Sequence, residues 1–162
     1  LGLLVNLRDL SLTYILGEHT GFGFFPLLVK LEKLSITTGS YQRGYDPIVD
    51  MGNVDLPLLQ SLTLDGRINI VDEGLPISPL LTLLDIGSAI TIDVHNLVCF
   101  PLLRHLKLCD MYCTFPIPSH LRCTLPMLTT IDITSARNGA YIEHLKSCFS
   151  VLVGFPVESV KG

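Results

Sequence analysis

Apolar residues recur along this chain in a fixed figure. Leu56-Pro57-Leu58-Leu59-Gln60-Ser61-Leu62-Thr63-Leu64 is matched by Phe100-Pro101-Leu102-Leu103-Arg104-His105-Leu106-Lys107-Leu108. Segments 78–86 and 125–133 repeat it, so the common pattern is P-x-L-x-x-L-x-L with Ile allowed for Leu. Two further copies, Leu7/Leu10/Leu12 and Leu31/Leu34/Ile36, lack the proline at that offset; in the second, Pro26 stands five residues ahead of Leu31. The copies open at positions 7, 31, 59, 81, 103 and 128, at separations of 24, 28, 22, 22 and 25. Spacings of about 20–29 residues point to a repeat architecture and exclude a coiled-coil heptad.

The figure predicts one strand per copy. Its last two apolar residues stand two apart, so both fall on one face of a strand and the residues between them on the other. One such strand cannot hide its apolar edge alone. Stacking six in parallel, about 4.8 Å apart, makes a continuous hydrophobic ladder. Each fully buried aliphatic side chain in it contributes about 1.5–3 kcal/mol before conformational entropy is subtracted. Proline cannot donate to a ladder and holds its predecessor extended, so it belongs ahead of each strand. Phe155-Pro156-Val157 reads as the opening of a seventh copy.

Between strands the chain must return. Ile68-Asn69-Ile70 and Ile90-Thr91-Ile92 read as minor strands. Asn138 is placed to cap a helix with Ile142, Leu145, Phe149 and Leu152 on one face. The polar, Gly-containing return over 37–55 reads as a protruding loop.

Composition narrows the class. Hydrophobic residues make up 48% of the 162 and charged residues 16%, which excludes a disordered tail. Eleven basic against fifteen acidic residues give a net charge of −4, with no excess for binding nucleic acid. The most apolar stretch, 75–94, carries Pro76, Pro79, Asp85 and Asp93, which argues against membrane insertion. The cysteines at 99, 109, 113, 123 and 148 are odd in number and form no C-x-x-C pair. They are expected as reduced, buried thiols. No secretory leader is legible at Leu1, so the expected location is cytoplasmic or nuclear.

These residues resemble the leucine-rich repeat family across essentially the whole chain. The proline-led copies resemble the irregular repeats that accompany F-box motifs in substrate receptors. The resemblance implies an α/β leucine-rich repeat solenoid. Its curved parallel sheet would form the concave side, with irregular loops, short strands and short helices on the convex side. Residues 1–162 would be a single array of about six repeats, part of a longer solenoid. The family's Asn or Cys, three residues past the final core Leu, is replaced by Ile15, Gly39, Arg67, Ala89, Met111 and Ala136. No amide ladder is expected to tie these turns together.

Function is expected on the outward strand face. Alternation gives three rows: Asp9, Lys33, Ser61, Leu83, His105, Thr130; then Ser11, Ser35, Thr63, Asp85, Lys107, Asp132; then Thr13, Thr37, Asp65, Gly87, Cys109, Thr134. Lys33, Thr63, Asp65, Asp85, His105, Lys107 and Asp132 are the candidate contacts, with Tyr41 and Tyr45 as loop anchors. Asp85, Lys107 and Asp132 should be neighbours, either recognising a partner or pairing across strands. The rows lack large aromatics, which usually dominate interface energetics.

The resemblance implies a protein–protein recognition module, such as the substrate-recognition part of an F-box-type ubiquitin-ligase adaptor. An extracellular receptor L-domain or a structural scaffold is the alternative. A carbohydrate-active β-helix is a remoter one, because Lys107 falls between the carboxylates such chemistry needs. No catalytic residue, metal, cofactor or small-molecule substrate is indicated. His95, His120 and His144 have no second ligand at metal spacing, and Gly21-Phe22-Gly23 lacks the rest of a phosphate loop. Neither end shows a polar cap, so the isolated chain is expected to be marginally stable or to aggregate.

Overall fold

Each copy of the figure builds the same two pieces, a four-residue turn, with proline second in four of the six, and a short strand. The computed structural model describes residues 4–14, 25–38, 51, 54–66, 75–87, 97, 100–109, 125–134 and 160–161. In the turns, the N–H groups of Leu59, Leu81, Leu103 and Leu128 donate to the carbonyls of Leu56, Ser78, Phe100 and Leu125, at 3.0–3.1 Å. Proline is the second residue of every one, where its fixed φ matches the turn. The first and fourth residues are buried and the third is exposed. Proline therefore heads a turn, and the strand starts only after that turn closes. Phe25-Pro26-Leu27-Leu28 forms the same turn, with Leu28 N–H donating to Phe25 at 2.8 Å. A second turn then closes from Leu28 to Leu31 at 2.9 Å, which accounts for the displaced Pro26.

The strands are β1 (Asp9–Tyr14), β2 (Lys33–Thr38), β3 (Ser61–Asp65), β4 (Leu83–Ile86), β5 (His105–Cys109), β6 (Thr130–Thr134) and β7 (Val160–Lys161). They form one sheet in chain order, and every pairing is parallel. The helical segments described are two short 3-10 turns, Leu4–Asn6 and Phe25–Leu27. A parallel sheet whose strands follow one another in this way is compatible with the α/β class. Among the described residues no helix is long and apolar enough to cross a membrane.

Two devices fix the register. One is a repeated backbone clasp, in which a single carbonyl ahead of each strand accepts two N–H groups from the next copy. Arg8 accepts from Glu32 and Lys33, Glu32 from Gln60 and Ser61, and Gln60 from Thr82 and Leu83. Thr82 accepts from Arg104 and His105, and Arg104 from Thr129 and Thr130. All ten bonds measure 2.8–3.1 Å. The hydroxyls of Thr82 and Thr129 add a third donor to the Gln60 and Arg104 carbonyls, at 3.1 Å each. The other device is side-chain stacking. Leu34, Leu62, Leu84, Leu106 and Ile131 lie in register, as do Ile36, Leu64, Ile86 and Leu108, and all are buried. Phe25, Leu28, Leu56, Phe100 and Leu125 from the turns join the same core. Leu7, Leu10 and Leu12 are only partly buried, because among the described residues β1 has a strand on one side alone.

The return after β2 differs from the expected loop over 37–55 at both ends. Thr37 and Thr38 belong to β2, as suits β-branched residues, and Thr38 is buried. Met51 is fully buried and its carbonyl accepts from Val54 N–H at 2.9 Å. Asp55 then bridges to Ile77 in parallel, so the last part of this return packs instead of protruding. Residues 39–50, with Tyr41 and Tyr45, lie outside the described residues. So do the expected minor strands at 68–70 and 90–92, the helix after Asn138, and the scattered histidines. The strand expected after Phe155-Pro156-Val157 is present as β7, paired through Ile131 with Val160 and Asp132 with Lys161.

Gly66 ends β3 with φ at +94°, and a side chain there would run into Thr38 on the neighbouring strand. Glycine alone satisfies both conditions. Ser78 is the odd member of the turn series. It occupies the first, buried position where the other copies carry Leu56, Phe100 and Leu125, and its hydroxyl has no hydrogen-bond partner. An unpaired buried hydroxyl costs about 1–3 kcal/mol. Ser78→Ala should therefore raise the melting temperature, by about 2–4 °C for each kcal/mol recovered. Leu106→Asp should abolish the cooperative melt, because it puts a charge in the ladder at a cost of more than about 4 kcal/mol. Thermal circular dichroism of both variants checks these outcomes.

Candidate functional site

The outward face is built by the alternation that fills the core. Asp9, Lys33, Ser61, Leu83, His105 and Thr130 are register partners, step by step. Ser11, Ser35, Thr63, Asp85, Lys107 and Asp132 form the next row. In the third row Thr13, Thr37 and Asp65 are partners, and Cys109 pairs with Thr134. Gly87 lies just past β4, against Asp65, where a β-carbon would collide with the Asp65 side chain and backbone. The Asp65 carboxylate accepts the Gly66 N–H at 2.8 Å and so is held at the strand end. Lys33 on β2 stands two strands from β4, whereas Thr63 is the register partner of Asp85 and borders the charged group on β4–β6.

That group is where the candidate residues converge. Lys107 Nζ donates to Asp85 Oδ2 at 2.9 Å, joining β5 to β4. On the other side, Asp132 is the register partner of Lys107 but makes no such bond. Its Oδ1 is shut off from solvent and has no hydrogen-bond partner. His105 Nδ1 and the Thr130 hydroxyl share a short hydrogen bond between β5 and β6. These side chains, with Leu83 and the edges of Leu106 and Ile131, line an open depression of about 290 Å³. Leu83 is the apolar member of its row and is 36% exposed.

The electrostatics follow from this spacing. The hydrogen bond to Asp85 holds the Lys107 ammonium above its usual 10.5, against the opposing effect of partial burial. The charges of Asp85, Cys109 and Asp132 add in the same direction. Asp85, Lys107 and Asp132 together carry one excess negative charge. No three of His, Cys, Asp and Glu among the described residues stand close enough to hold a metal ion. The arrangement offers charge, one hydroxyl hydrogen-bonded to an imidazole, and one apolar wall. His105 and Cys109 stand at opposite ends of β5, about 13 Å apart at strand rise, beyond any proton transfer.

A second surface feature was missed in reading the sequence. Leu58, Leu80, Leu102 and Met127 are the third residues of four successive proline turns, and all are 37–41% exposed. The signal was present in the x of P-x-L, which is apolar in all four copies. At the β1 end the third residues of the turns closed by Leu7 and Leu31 are polar, with Lys30 Nζ donating to Asn6 Oδ1 at 2.8 Å, while Leu27 of the Phe25 turn is exposed like the others. Arg8 and Glu32, one strand apart, form an ion pair at 2.8 Å.

Comparison with protein-family models, with curated proteins and with solved structures found no match to this chain.

The Lys107 shift has a defined pH signature. A lysine whose folded pKa is raised contributes stability that is fully present below 10.5 and is lost as pH climbs through the folded value. The Asp85–Lys107 contribution should therefore be constant from neutral pH to about pH 10 and fade above it. Chemical denaturation across pH 8–12, comparing the parent with Asp85→Asn, should show the alkaline loss of stability reduced in the variant. Equal losses in both would remove the Asp85 bond as the cause.

Proposed function

We propose that this chain is a leucine-rich repeat solenoid that recognises a protein partner on its concave, polar strand face. The observation that carries this reading is the step-by-step register of the outward rows. Copies spaced 22–28 residues apart, each clasped to the next, present one aligned side chain per strand. Such a stack makes a broad, preorganised surface, which suits a macromolecule better than a small substrate. The convergence of Asp85, His105, Lys107, Thr130 and Asp132 around one depression supports placing the main contact on β4–β6. The role is binding, without catalysis or a cofactor. The proline-led style of the copies supports a finer form, the substrate-recognition segment of an F-box-type ubiquitin-ligase adaptor in the cytosol or nucleus.

Affinity capture from cell extract tests both levels. Thr63→Arg and His105→Glu place new charge on the outward face, whereas Gln60→Glu and Arg104→Glu alter the segment ahead of the strands. The reading expects the first pair to lose proteins that the parent and the second pair retain. Identical capture by all four variants and the parent would remove the polar face as the binding surface. Capture that depends on the face but contains no ligase scaffold would remove the adaptor form alone.

A further inference from the structure

We infer, resting on the proposed recognition role of the polar face, that the depression between β4 and β6 accepts a lysine or arginine side chain of the protein partner. Four observations converge on that chemistry. Of the two carboxylates in its row, Asp85 takes the Lys107 hydrogen bond at 2.9 Å, while Asp132 Oδ1 is buried without a hydrogen-bond donor. A carboxylate oxygen removed from water without a donor is unfavourable, and a cation brought to the group relieves that cost. Asp132 is half-buried as a residue and lines the depression.

The surroundings select the same ligand. Leu83 offers an exposed apolar wall two strands away, suited to the alkyl stem of a long basic side chain whose head stays polar. The volume, about 290 Å³, falls just below the range of about 300–1,000 Å³ typical of small-molecule sites. It fits one inserted side chain. The outward rows of β1–β6 carry the carboxylates of Asp9, Asp65, Asp85 and Asp132 against the ammonium groups of Lys33 and Lys107. The field over this face is therefore negative and attracts a cationic partner before contact.

The test is a titration of the isotopically labelled full chain with Nα-acetyl-arginine amide and Nα-acetyl-lysine amide, followed by amide chemical shifts. Nα-acetyl-norleucine amide is the neutral control. The basic probes should shift the amides of Leu83, His105, Thr130 and Asp132, with an affinity that weakens as salt rises. Asp132→Asn should weaken the response about fivefold. Lys107→Gln, which frees Asp85, should strengthen it. Equal shifts with norleucine amide, no shift at those positions, or an unchanged response in Asp132→Asn would each overturn the inference. Failure here with capture still dependent on Thr63 and His105 leaves protein recognition standing. Failure of the recognition reading appears in the capture experiment itself.

Discussion

A leucine on a lone strand has nowhere to go. Leu62 and Leu64 are fully buried only because Leu34 and Ile36 lie on one side and Leu84 and Ile86 on the other. Every other feature depends on that mutual covering. The strands must be parallel, because each copy enters from the same side. They must share one register, because a slip by a single residue would send the whole apolar row outward. The clasp carbonyls at Arg8, Glu32, Gln60, Thr82 and Arg104 prevent that slip, since each binds two adjacent amides of the next copy. The polar face is then a by-product of the same alternation. Asp85, Lys107 and Asp132 sit in line because Leu84, Leu106 and Ile131 do.

The proline turns connect this constraint to the surface. A four-residue turn has two ends and two middle residues. Its ends close by a hydrogen bond and face the core, so positions filled by Leu56 and Leu59 or Phe100 and Leu103 must be apolar. Its middle carries proline and an exposed residue. Ser78 shows what happens when the first position follows turn preference instead of core preference. Serine suits the start of a turn, yet here its hydroxyl is sealed in without a partner. Local and global demands conflict at this one position, and the core absorbs the mismatch.

Much of this was legible from spacing alone. The six strands, their outward rows and the stacking of Leu34, Leu62, Leu84 and Leu106 all follow from a repeat that fixes period, phase and face together. The Asp85–Lys107–Asp132 adjacency was legible for the same reason. What spacing could not settle was the division of Lys107 between two carboxylates, because a cross-strand bond depends on rotamers and on a few tenths of an ångström. The turn role of proline was read too coarsely: its lack of an N–H and its fixed φ suit both a strand entrance and a turn, and the Leu56–Leu59 bond decides between them. Thr37 stood both in the third outward row and at the start of the expected loop, and Thr38 in the loop alone, because a strand end has no apolar pattern once the outward residues are polar. The half-burial of Leu10 and Leu12 depends on the sheet having an edge, which no single copy encodes.

Unequal spacing between copies has a thermodynamic meaning. From β1 to β6 the aligned residues stand 24, 28, 22, 22 and 25 apart in the chain. Closure entropy grows only with the logarithm of loop length, so the longest and shortest of these differ by about 0.2 kcal/mol. The clasp bonds and leucine stacks are the same at every step. Extra residues in a return therefore burden the fold very little, while a residue added inside a turn or strand breaks phase with both neighbours. An architecture built this way can acquire new surface on its returns and leave its interior arithmetic untouched.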